Sequence, residues 1–143
     1  MPYRFLEDAF TADVGFVASG QTLDACFTAA ANATLEVMLA NPEALHGRQH
    51  QTLHVESDAL DLALLRFLEE FVFYKDAQQL LLRPTRVTVS QQDTQWIVDA
   101  ETEGETLDPV RHQLSADVKA VTLHHLSVRR TNTGWEATVV LDI

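Results

Sequence analysis

The hydrophobic periodicity of this chain changes at residue 79, and that change limits the folds open to it. Before it, two segments repeat apolar residues at i, i+3 and i+4. Beyond it, apolar and polar residues alternate in short runs. Thr22 opens the first helix as an N-cap, with Asp24 in its first turn. Leu23, Phe27, Ala30, Thr34, Val37 and Met38 share one face, and Asn41-Pro42 ends the segment. Ser57 caps the second helix, DALDLALLRFLEEFVFYKD, the most apolar stretch of the chain. Leu60, Leu64, Phe67, Leu68, Phe71 and the Phe73-Tyr74 pair form a wide stripe on it.

Short strands read around these helices. DVGFVASG, residues 13–20, precedes the first, and RQHQTLHVE, residues 48–56, lies between the two. After residue 79 come QLLLRP and then 86–91, 94–102, 119–130 and 135–143, with QQDT and TNTG as turns. The expected class is α+β: a single domain over residues 1–143, with two helices on one face of a mainly antiparallel sheet. The stretch 103–118 reads as the longest loop and is rich in ionisable side chains, where function often sits.

Composition removes several functions. The chain has 143 residues, 46% of them apolar, enough for one core. Its formal net charge is -11, with only ten Lys and Arg. Phosphate affinity comes from clustered basic residues, so direct nucleic-acid binding is not expected. A basic partner suits an acidic protein. The lone cysteine, Cys26, lies in an apolar helical stretch and reads as a small core residue rather than a nucleophile. No stretch approaches the roughly 18 apolar residues of a membrane span, and no leader pattern opens the chain. The expected location is cytoplasmic.

No phosphate loop, nucleophile elbow or HExxH motif is present. His50 and His54 have a spacing that would suit a metal on a helix. In a strand they stand about 13 Å apart, so a solvated role is the default. His124 and His125 point to opposite faces of a strand. The carboxylates hold more interest, because hard divalent cations take oxygen ligands. Asp13 begins an early strand beside Val14 and Phe16. Asp142 sits in the apolar run VVLDI, followed by the α-carboxylate of Ile143. These groups could converge on one cation. Equally, Asp13 could cap or turn, and Asp142 could pair with Lys119 or an arginine.

A resemblance adds to this reading. The segments TADVGF, SG-x-TL, DPVRH, DVKAVTLHHLSV, GW and the final VVLDI, in that order, resemble the archease family over nearly the whole chain. The resemblance implies an α+β fold and a protein cofactor rather than an enzyme. It implies a partner, an RtcB-type RNA ligase of tRNA splicing and RNA repair, whose active-site histidine archease helps to guanylylate and which it keeps turning over. It further implies a divalent metal (calcium, magnesium or manganese) held by the aspartate of TADV, here Asp13, and the terminal pair, here Asp142 and Ile143. The lysine of VKAVT falls on Lys119 and the loop histidine on His112; both are expected beside the site, facing the ligase. Phe10 stands where the family often has histidine, and Leu123 where it commonly has tyrosine. The alternative function is a chaperone-like binding module, in which the apolar helix or the sheet holds a client and the carboxylates only confer solubility. An independent metal-dependent hydrolase has no nucleophile and base pair to support it.

Overall fold

A computed structural model of the chain describes residues 2–6 and 13–143. Along the chain the elements are β1 (Tyr3–Leu6), β2 (Asp13–Gly20), α1 (Leu23–Met38), β3 (Gln49–Ser57), α2 (Leu60–Gln78), β4 (Leu80–Gln92), β5 (Gln95–Thr106), β6 (Ala120–Val121), β7 (Ser127–Thr131) and β8 (Gly134–Asp142). The class is α+β, with two helices and antiparallel strand pairs throughout the described residues.

The strands divide between two sheets. One has the order β1-β2-β8, and the outer edge of β8 takes β7 along its first half and β6 at its end. The other has the order β3-β5-β4. Alternation identified most of these strands but carries no information about partners distant in sequence, so the second sheet was not foreseen. One core joins the layers. Phe16 and Val139 enter it from the first sheet, Leu53 and Val98 from the second, and Phe27 and Phe67 from the helices. The last two rings stack at 6.1 Å between centroids, and Phe71 meets Phe67 edge-on at 5.2 Å.

Local chemistry sets the element ends. The Thr22 hydroxyl accepts the Ala25 N–H at 3.1 Å, as an N-cap should. Asp24 accepts the Val89 N–H at 2.8 Å and so ties the start of α1 to β4. The expected Ser57 cap needs correction. Ser57 completes β3, and Ala59 is the N-cap with no side-chain bond of its own. The Ser57 hydroxyl reaches only the Ala59 N–H, at 3.4 Å. Gln79 ends α2 in the left-handed region (φ 52°), and its N–H returns to the carbonyls of Lys75 and Tyr74.

Two strand readings also change. QLLLRP and RVTVSQQ are one strand, because a register shift between Pro84 and Arg86 lets the chain pass a residue with no N–H to donate. The expected strand 119–130 is broken. The Leu126 N–H reaches the Leu123 carbonyl at 3.3 Å, and His125 has φ 54°, the third position of a type II turn. Thr122 stabilises the departure: its hydroxyl donates to the Val140 carbonyl at 2.9 Å and accepts the His124 N–H at 3.2 Å. The stretch expected as a loop from 103 remains in β5 until Thr106.

Candidate metal centre

The register of β2 against β8 runs from Gly20 opposite Trp135 to Asp13 opposite Asp142. Each step is fixed by apolar positions that must face the core, including Phe16 opposite Val139 and Val14 opposite Leu141. The two aspartates are therefore a directly opposed cross-strand pair at the end of both strands. Such partners share one face, with β-carbons about 4.5–5.5 Å apart. Both are half-buried. Like charges in this relation repel. Among the described residues, no lysine, arginine or histidine forms an ion pair with either.

Asp142 is flanked on its other side by Ala120 of β6, and its carbonyl accepts the Lys119 N–H at 2.8 Å. The contact between Lys119 and Asp142 is thus made by backbone, and the Lys119 side chain is exposed. Ile143 follows, and its side chain packs against the core. Among the described residues, no group of three or more His, Cys, Asp or Glu side chains is placed to hold a metal. Two facing side-chain carboxylates are what the described residues place at this end of the sheet. An all-oxygen set with uncompensated negative charge fits a hard divalent cation that keeps water in its remaining positions.

The archease protein family (MTH1598/TM1083) matches residues 3–143. The chain belongs to the archease family. The archease of Pyrococcus furiosus is 33% identical over 134 residues, which cover 93% of this chain and 94% of that protein. The archease of Methanosarcina mazei is 29% identical over 142 residues, covering 99% and 95%. Among solved structures, protein 1598 of Methanobacterium thermoautotrophicum superposes with a TM-score of 0.85 at 26% identity, covering 99% of both chains. The Thermotoga maritima protein described as an archease, possible chaperone, shares the fold with a TM-score of 0.63 at 16% identity, covering 94% of this chain and 93% of that one.

The remaining expected residues of this archease fall elsewhere. His112, expected to face a partner, is wholly enclosed at its side chain. The Asp108 N–H donates to its Nδ1 at 2.8 Å, so the ring proton sits on Nε2 and is directed at Glu105 Oε1, 2.9 Å away. Glu105 is itself buried, and also accepts from the His46 N–H at 2.8 Å and from Arg111 at 2.7 Å. The Arg111 guanidinium, with these other donors, holds the Glu105 carboxyl at about 2, well below its ordinary 4.5. Arg111 in addition donates to the Ala44 carbonyl at 3.1 Å, and Asn41 exchanges bonds with Arg111 and Gln113. DPVRH is therefore a staple closing residues 108–113 over 41–46, and its histidine holds structure together. Sequence reasoning missed Glu105 because its partners lie up to 59 residues away.

His54 lies on exposed β3 with Glu56 and Asp99 on its two ring nitrogens, which raise its pKa and leave no nitrogen for a metal shared with His50. Cys26 is fully buried, and burial pushes its thiol up to about 11, an unreactive core residue as expected. Phe10 lies outside the described residues.

Proposed function

We propose that this archease activates an RtcB-type RNA ligase, promoting guanylylation of the ligase histidine and repeated turnover in tRNA splicing and RNA repair. The observation that carries the reading is the direct opposition of Asp13 and Asp142, with no cationic side chain paired to either among the described residues. Asp13, Asp142 and the carboxylate of Ile143 would hold a divalent cation (calcium, magnesium or manganese). When bound, it supplies positive charge that offsets the facing carboxylates and polarises whatever oxygen it shares with a partner.

This chain's own residues orient and position. β2 and β8 present both carboxylates on one face, and the Lys119 N–H fixes the backbone of Asp142 from the far side. The Lys119 side chain is exposed and would face the ligase. A net charge of -11 draws the protein toward a basic nucleic-acid cleft, and a docked state held largely by charge releases readily to admit RNA. The protein acts as a cofactor and not as the ligase, and it works in the cytoplasm with its partner.

The test is single-turnover guanylylation of a matched ligase with GTP and Mn²⁺. Wild-type protein should stimulate, and Asp142→Ala should not. Stimulation that survives Asp142→Ala contradicts the reading.

A chaperone-like module is the second reading, because the Thermotoga maritima relative is described as a possible chaperone and Leu123 and Phe73 are 68% and 54% exposed here. The apolar stripe of α2 offers a client little, since Leu64, Phe67, Leu68 and Phe71 are already inside the core. Adding a few residues after Ile143 separates the two readings. It should abolish ligase stimulation, whereas a client-binding module would tolerate it.

A further inference from the structure

Lys75 occupies the last turn of α2, a place where a lysine usually reaches into water. Here its side chain is 14% exposed. Its ammonium meets three oxygens: Asp117 Oδ1 at 2.6 Å, the Val118 carbonyl at 2.6 Å and Asp76 Oδ1 at 3.0 Å. Two of its three protons are committed to the Asp117 and Val118 oxygens, and Asp76 is an ion-pair neighbour. Val118, whose carbonyl it holds, is completely buried. The next residue donates its N–H to the Asp142 carbonyl, and the one after that, Ala120, is the cross-strand neighbour of Asp142. Three consecutive residues, 117 to 119, thus carry two acceptors of Lys75 and one donor to Asp142.

We infer that Lys75 is a positioning residue for the carboxylate pair, holding Asp142 in place through the 117–119 segment. The inference rests on the proposed cation site. β6 is only two residues long, too short to fix its own place beside β8. A charge-assisted anchor to a main-chain carbonyl two residues before β6 supplies the missing constraint. Groups behind the ligands that orient them typically change metal affinity about 10–100-fold when removed.

Lys75→Met should be compared with wild type in two ways on the full chain. Amide hydrogen exchange of metal-free protein reads the anchor, and Mn²⁺ titration by calorimetry, well below each unfolding temperature, reads the site. Lys75→Met should speed exchange at Lys119 while leaving the β3–β5 ladder unchanged, and should weaken Mn²⁺ binding by about tenfold. Unchanged exchange at Lys119 overturns the inference. So does faster exchange with Mn²⁺ affinity within about twofold of wild type, which would make Lys75 an anchor of the fold alone. Should Lys75→Met not fold, Asp117→Ala, which removes an exposed acceptor of the same ammonium, is judged by the same two criteria. Wild-type protein that takes up no Mn²⁺ defeats the cation reading by itself. The placement of Asp142 by Lys75 then stands or falls on Lys119 exchange.

Discussion

Glu105 and Asp13 are both acids near strand ends, yet their surroundings give them opposite roles. Glu105 is buried among donors and held ionised at about 2. A depressed carboxyl adds stability that is present above its unfolded value, 4.5, and lost as pH falls toward about 2. Glu105→Gln should therefore cost about 2 kcal/mol at neutral pH. In urea titrations that cost should shrink by more than half at pH 3; a cost independent of pH would contradict the assigned ionisation. Asp13 faces Asp142 instead. In metal-free protein Asp13→Asn should leave stability unchanged or raise it by about 0.2–1 kcal/mol, by removing a like-charge neighbour. Added Mn²⁺ should raise the melting temperature of wild type and not of Asp13→Asn. Both aspartates were legible as candidate ligands because they interrupt apolar runs. His112 was misjudged, since DPVRH gives no sign of a buried partner at Glu105 and a loop of ionisable residues looks the same whether open or stapled. Lys75 carried no signal either. Its acceptors are 42 and 43 residues away, so both hydrogen bonds depend on tertiary placement.

At the level of elements, capping and turn chemistry explain which boundaries the sequence reveals. Thr22 bonds its helix at 3.1 Å, while Ser57 stands outside its helix with a 3.4 Å contact. Thr22→Ala should cost about 1 kcal/mol and Ser57→Ala less than half of that, measured by denaturant unfolding. Equal losses would restore Ser57 as a true cap. Both helices and most strands could be read because burial imposes a period on the residues that make them. The break in 119–130 could not, because Thr122 and His125 form a turn without interrupting the alternation. The hairpin before β8 was marked by its glycine for a physical reason. Gly134 has φ 153°, and a β-carbon there would sit 2.2 Å from the Gly20 carbonyl oxygen.

For the whole molecule, the larger of two apolar clusters joins both sheets, and Val14 and Ile143 beside the carboxylate pair pack against it. Phe67 contacts Phe27 and Phe71 at its centre, so Phe67→Ala should lower stability by about 3–5 kcal/mol. It should do so in one transition seen alike by near- and far-ultraviolet circular dichroism; separate transitions would mean that the sheets unfold independently. The charge of -11 acts at the same scale. Ligase stimulation should weaken as salt rises, because screening shortens the reach of exposed charges to about 8 Å at physiological ionic strength. The division into two sheets was beyond sequence reading, but the placement of Asp13 against Asp142 depends only on β2 and β8, both of which were read as strands from the sequence. The most direct test of their pairing as a cation site is calorimetric titration of Mn²⁺ into wild type, Asp13→Ala and Asp142→Ala. Binding by wild type that either substitution abolishes is the expected result. Binding that persists unchanged in both variants would show that the facing carboxylates are not the site.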